Sequence, residues 1–188
     1  MDQHIQSYKK KLIEILGDKK LNKQIEKLYN ELLIAWKNKK SVFICGNGGS
    51  AGNAIHLAND FLYGAGIKNK YGLKIEALTA NPSVITCLAN DLGYESIFAE
   101  QLKVKANEND LLIVLSGSGN SKNVTKALEE GNRIKMVTFA ILGFDGGKCK
   151  SLAKNSIHFE INDMQISEDL QLIVMHMIMQ KLSSVSIR

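Results

Sequence analysis

Leu21, Ile25, Leu28, Leu32, Ala35 and Trp36 recur at three- and four-residue spacing, with lysines between them. That period marks an amphipathic helix with one face toward a core and the other in water. Helices are predicted near 2–16 and 21–38, divided by Gly17-Asp18. From residue 41 the pattern changes to short, nearly unbroken apolar runs, such as Val42-Phe43-Ile44-Cys45 and Met136-Val137-Thr138-Phe139-Ala140-Ile141-Leu142. Such runs suit strands covered on both faces. Strands are predicted near 41–45, 73–78, 111–116, 136–142 and 156–161. Helical patterns fall near 50–64, 82–90, 95–104, 121–132 and 147–154, with a long final helix over 165–185. The alternation predicts an α/β fold, a three-layer α-β-α sandwich around a mostly parallel five-stranded sheet of flavodoxin type. No repeat or long linker interrupts it. The expectation is a single domain over 1–188, with a helical segment at 1–38 and an α/β core at 40–188.

Composition narrows the setting. Three scattered cysteines (Cys45, Cys87, Cys149) form no C-x-x-C pair, which points to a reduced, cytoplasmic protein rather than a disulfide framework. No apolar stretch approaches the roughly 18 residues of a membrane span, and Lys9-Lys10-Lys11 is not followed by the apolar core of a secretory signal. Residues 1–40 hold ten lysines against five carboxylates, and the remainder balances at fourteen against fourteen, so the net charge of +5 is confined to the first helices. It reads as their solvated face more readily than as a nucleic-acid surface. Neither a nucleic-acid partner nor a membrane is expected.

Chemistry concentrates where strands end. Val42–Cys45 runs into Gly46-Asn47-Gly48-Gly49-Ser50-Ala51-Gly52, and Leu111–Leu115 runs into Ser116-Gly117-Ser118-Gly119-Asn120-Ser121. Small residues let backbone N–H groups approach an anion, the following helix adds its positive end, and serine hydroxyls add donors. Both loops therefore look suited to a phosphate. A third loop, Gly143-Phe144-Asp145-Gly146-Gly147, reads first as a turn. In the helix after the first loop, His56 and Asp60 stand i to i+4 and share a stripe with Asn53, Asn59 and Tyr63, while Ile55, Ala58 and Leu62 lie opposite. The stripe is either an ordinary wet face, a metal chelate or an acid/base pair. The last helix carries Glu168 and His176 among apolar residues, eight positions or roughly 12 Å apart along a straight helix. They can meet at one ligand only if their side chains lean together or come from different subunits. Asn90-Asp91 before Gly93 is a helix-ending turn or a sugar-binding rim.

Gly46-Asn47-Gly48-Gly49-Ser50-Ala51 with His56, Asn90-Asp91-Leu92-Gly93-Tyr94, Ser116-Gly117-Ser118-Gly119-Asn120-Ser121 with Asn123-Val124, and Asp145-Gly146-Gly147 together resemble the phosphosugar-isomerase (SIS) domain family, and within it the phosphoheptose isomerases. The likeness runs from about residue 40 to the end. It implies interconversion of sedoheptulose 7-phosphate and glycero-manno-heptose 7-phosphate for surface polysaccharide, in a homotetramer with sites at subunit interfaces. It also implies a zinc ion at the positions of His56, Asp60, Glu168 and His176. Two of these depart from the family: Asp60 stands for a glutamate and Glu168 for a glutamine, which leaves open whether Asp60 or Glu168 is the base. By the resemblance and the chemistry, Ser116, Gly117, Ser118 and Ser121 grip the phosphate. Asn47, Gly48, Gly49, Ser50, Asn90 and Asp91 line the sugar, and Asp60, Glu168 and His176 move protons. Alternatives are a non-catalytic SIS protein that binds a phosphosugar, or an isomerase of another phosphosugar. A dinucleotide fold fits poorly, because the acidic residue it needs would be Glu76, inside a predicted strand.

Overall fold

The computed structural model describes residues 1–187. Two helices lead, α1 (Asp2–Leu16) and α2 (Lys19–Lys37), followed by β1 (Ser41–Cys45), α3 (Gly49–Leu62), β2 (Lys74–Ala77), α4 (Pro82–Leu92), α5 (Ala99–Lys105) and β3 (Leu111–Ser116). Then come α6 (Lys122–Arg133), β4 (Val137–Leu142), α7 (Gly147–Leu152), β5 (Asn155–His158) and α8 (Met164–Ser183). The strands form one all-parallel sheet in the order β2-β1-β3-β4-β5.

Side chains alternate across each strand and feed two cores. Val42, Ile44, Leu111, Ile113, Leu115, Phe139 and Ile141 pack on one face with α2, α3 and α8. Phe43, Cys45, Leu112, Val114, Ala140 and Leu142 pack on the other with α5, α6 and α7. In α2 the predicted stripe is the buried one, Leu21, Leu28, Leu32, Ala35 and Trp36, while Lys19, Lys20, Lys23 and Lys27 are exposed. Asp18 starts this helix by accepting from the Lys20 N–H at 2.9 Å. Asn81 caps α4 in the same way, through the N–H groups of Ser83 and Val84, with Pro82 at the first helical position.

Three expectations need correction. β5 ends at His158 rather than 161, because the Phe159 N–H still bonds Leu142 but Ile161 folds back onto the Phe159 carbonyl at 2.7 Å. The helix expected over 95–104 begins at Ala99. It is preceded by a short 3₁₀ turn, Tyr94–Ser96, closed by the Ser96 hydroxyl on the Leu92 carbonyl. In α3 the buried stripe is Ser50, Ala54, Leu57 and Phe61, whereas Ile55 and Leu62 are exposed at 46% and 55%. The second apolar edge of α3 faces outward.

From β1 the chain turns to β2 on one side, while β3 lies on the other. This is the switch point where ligands sit beyond strand ends in open parallel sheets. Both glycine-serine loops emerge there, from neighbouring strands in register at Cys45 and Val114.

Candidate active site

The second loop shapes itself with its own hydroxyls. Ser116 Oγ accepts from the Gly119 N–H at 3.0 Å, and Ser118 Oγ accepts from the Asn120 N–H at 3.3 Å. Each hydroxyl keeps its proton to donate elsewhere. Ser121 begins α6 without a side-chain cap bond, so its hydroxyl is unspent at a positive helix end. Asn47, Gly48, Ser50, Ser116, Gly117, Ser118 and Ser121 line one cavity of about 250 Å³, closed by Leu115, Met164 and Glu168. A Cβ at Gly117 would collide with the Met164 thioether, so Met164 lies directly over the loop backbone.

At the first loop the carboxylate of Glu168 lies against the start of α3, where a Cβ on Gly49 would strike it. An anion beside the first turn of a helix is favourably placed. The two loops are therefore unequal: the first already faces a carboxylate of the chain itself, and the second has open donors.

Farther along the same helices, His56 and His176 bring their Nε2 atoms to 3.0 Å, and Asp60 Oδ2 stands 3.4 Å from the first and 3.3 Å from the second. The rings meet edge-on, at 79°. Ligand atoms bound at 2.0–2.1 Å to a tetrahedral zinc are about 3.3 Å from each other. The triangle thus matches one face of such a site, and its two imidazoles and one carboxylate are suitable donors. Among the described residues this is the group that could hold a metal ion. Glu168, expected as a fourth ligand, stands apart from it. Its side chain turns to Gly49 rather than along α8 toward His176.

Two hydrogen-bond networks fix these parts. Gln171, 1% exposed, donates to Ser50 Oγ and accepts from Asn53 Nδ2, both at 3.0 Å; Asn53 Nδ2 also reaches the Glu168 carbonyl. This locks α3 against α8. On the other side Asn47 and the buried Asn123 exchange two amide bonds of 2.8 Å, and the Tyr94 hydroxyl donates to Asn47 Oδ1 at 2.9 Å. Gln171 was not singled out from the sequence, although it lies three residues beyond Glu168 and so on a neighbouring face. Asn123 and Tyr94 were recognised only as parts of motifs.

Asn90 and Asp91 are not among the cavity's lining residues. They are exposed at the end of α4, bonded to each other at 2.7 Å. The third loop does make a turn, with Asp145 Oδ1 accepting from the Gly147 N–H. It also borders a larger cleft of about 730 Å³, lined by Asn120, Phe144, Asp145, Lys150 and His158, which shares Ser118 with the smaller cavity. The smaller cavity is the one both glycine-serine loops converge on.

A family profile described as SIS domain matches residues 7–143. The phosphoheptose isomerase of Helicobacter pylori (strain P12) is 35% identical over 158 residues, covering 84% of this chain and 82% of that protein. This chain belongs to the SIS-domain family, among the phosphoheptose isomerases. The phosphoheptose isomerase of Fusobacterium nucleatum is 34% identical over 94% of this chain and 91% of its own length. In three dimensions, the phosphoheptose isomerase of Neisseria gonorrhoeae superposes with a TM-score of 0.83 at 26% identity, covering 95% of this chain and 92% of that one. The phosphoheptose isomerase from Francisella tularensis shares the fold with a TM-score of 0.91 at 24% identity, covering 98% and 96%. The fold described above is thus that of the SIS family.

Proposed function

We propose that this isomerase interconverts sedoheptulose 7-phosphate and D-glycero-D-manno-heptose 7-phosphate, supplying heptose for surface polysaccharide from the cytoplasm. One observation carries the reading: a small cavity joins the unspent serine donors of the second loop to the carboxylate of Glu168, beside the α3–α8 seam that holds the His56–Asp60–His176 triangle.

Ser118, Ser121 and the N–H groups around Gly117 would hold the phosphate, aided by the N-terminus of α6. Asn47, Gly48, Gly49 and Ser50 would line the sugar chain. Aldose–ketose isomerisation moves one proton between adjacent carbons. A base removes it from the carbon next to the carbonyl, the electron pair passes to the carbonyl oxygen to give an enediolate, and the proton returns to the neighbouring carbon. Glu168 is assigned as that base, because its carboxylate opens on the cavity while Asp60 is engaged with two imidazoles. The proton exchanged between the two substrate oxygens is assigned to solvent in the cavity, because the Nε2 of His176 faces His56 and Asp60. Zinc is the metal assigned to His56, Asp60 and His176, and when bound it supplies an electrophile for negative charge on oxygen.

Self-association is part of the reading, with a homotetramer as the expected form. α4 is largely apolar yet holds no buried residue, and Ile55, Leu62 and Leu92 are exposed. A neighbouring copy over this surface would also give Asn90 and Asp91 a sugar to contact.

The test is NMR-monitored turnover of sedoheptulose 7-phosphate. Formation of the aldoheptose, reduced at least about a hundredfold in kcat by Glu168→Gln with thermal stability kept, supports the reading. No aldoheptose from metal-loaded protein removes the substrate assignment. Full turnover by Glu168→Gln with loss in Asp60→Asn moves the base to Asp60.

A further inference from the structure

Asn47 meets the cavity with an amide whose groups are nearly all spent. Its Oδ1 accepts from Asn123 Nδ2 at 2.8 Å and from the Tyr94 hydroxyl at 2.9 Å, which uses both lone pairs. One hydrogen of its Nδ2 is given to Asn123 Oδ1 at 2.8 Å. The remaining N–H is the one polar group of this side chain left for a ligand in the cavity that Asn47 lines.

A reciprocal amide pair cannot choose its own orientation. Turning both amides by half a revolution restores both bonds with oxygen and nitrogen exchanged. The choice must come from a third group, and Tyr94 supplies it. A phenol donates a hydrogen bond more readily than it accepts one, so its hydroxyl favours the orientation that turns Oδ1 toward it.

The phenol is delivered by a fixed turn. Gly93 adopts φ +89°, in the region that favours glycine, and sends the chain out of α4 into the short turn Tyr94–Ser96. The Ser96 N–H closes on the Gly93 carbonyl at 3.0 Å, Glu95 pairs with Lys126 of α6 at 3.5 Å, and Ser96, Ile97 and Phe98 are buried. Tyr94 as a residue is 55% exposed. Its packing therefore contributes little, and its hydroxyl bond to Asn47 is its specific contact.

We propose that Tyr94 is a positioning residue: it orients the Asn47 amide so that this side chain offers the cavity a donor and no acceptor. A ligand oxygen, as on a phosphate or an ionised or hydroxyl group of the sugar, is then preferred at that point over a ligand N–H. The proposal rests on the phosphosugar reading of the cavity.

The experiment is a double-mutant cycle of Tyr94→Phe and Asn47→Ala, read by turnover of sedoheptulose 7-phosphate and by calorimetric binding of the same sugar phosphate. Tyr94→Phe is expected to raise KM and the dissociation constant about fivefold, the size of one neutral hydrogen bond, with kcat within about twofold and thermal stability unchanged. In the Asn47→Ala background the same change is expected to have no further effect, because its target is gone. A Tyr94→Phe effect that persists undiminished there would mean that Tyr94 touches the substrate itself and would overturn the proposal. So would an unchanged KM. A readout that needs neither activity nor the second variant is the Asn47 side-chain amide resonance pair in ligand-free protein. It should shift and its exchange with water should quicken in Tyr94→Phe, and an unchanged pair refutes the inference. If the wild-type protein does not turn the sugar over, the functional reading fails separately, and the amide resonances still decide the role of Tyr94.

Discussion

His56 and His176, 120 residues apart in the chain, hold their Nε2 atoms 3.0 Å from each other across the α3–α8 seam, with the Asp60 carboxylate completing the triangle. Side chains at this spacing either share a proton or share an ion. For the second case, His56→Ala and His176→Ala should each lose zinc, measured by elemental analysis after dialysis. Turnover should fall by at least about a hundredfold, and a chelator should reproduce the loss in the wild type. Zinc retained stoichiometrically by both variants would leave the triangle as a hydrogen-bonded pair alone.

Gln171 is the residue on which the geometry of that seam depends. Gln171→Leu keeps the volume but removes the partner of Ser50 Oγ and one partner of Asn53 Nδ2. The expected cost is about 1–3 kcal/mol, read as a lowered urea midpoint with unchanged slope, and turnover should fall with it. A wild-type midpoint would show that α3 and α8 are held by packing alone.

At acid pH the capping of α8 should weaken. The Lys11 ammonium, bonded to Asp163 at 2.7 Å, holds the Asp163 carboxyl below its ordinary value near 3.8, against the opposing effect of burial and with help from the Ile166 N–H. A lowered folded-state value stabilises the fold above the ordinary one, and the contribution is lost as pH falls through and below about 3.8. Both groups are partly solvated, so the effect stays well under about 1 kcal/mol. Lys11→Met should lower stability slightly at neutral pH and match the wild type near pH 2, as followed by denaturation at the two pH values. A constant difference would assign the effect of Lys11 to its aliphatic stem.

The three cysteines should separate by reactivity. Burial pushes the Cys45 thiol far up and the Cys149 thiol up to about 12, while Cys87 is exposed on α4. At neutral pH a maleimide should leave Cys45 and Cys149 untouched until the protein is unfolded. The Cys87 rate should drop as protein concentration rises, because a neighbouring copy would cover α4. A concentration-independent rate would place the subunit contact elsewhere.

Much of this molecule is written in short-range pattern. β1 and β3 were readable to the residue because both faces of each are buried, so the apolar run and the strand coincide. β5 was overrun because Phe159 and Ile161 continue the apolar pattern after the strand has bent away. In α3 the polar stripe was legible, but not the side on which Ile55 and Leu62 would fall, since an outward apolar edge looks like a core edge in one dimension. The site divides the same way. Loops and the His56–Asp60 pair are local signals. The separation of Glu168 from His176, and the bonds of Asn47 to Asn123 and of Gln171 to Ser50, depend on side-chain direction between segments 76 and 121 residues apart.

The last of those spans has a temporal meaning. A nascent chain that has emerged as far as His158 already possesses all five strands and both glycine-serine loops. It lacks Glu168, Gln171 and His176, which arrive together on α8. During synthesis, both loops and the His56–Asp60 pair thus exist before the α8 side chains that close the cavity and complete the triangle.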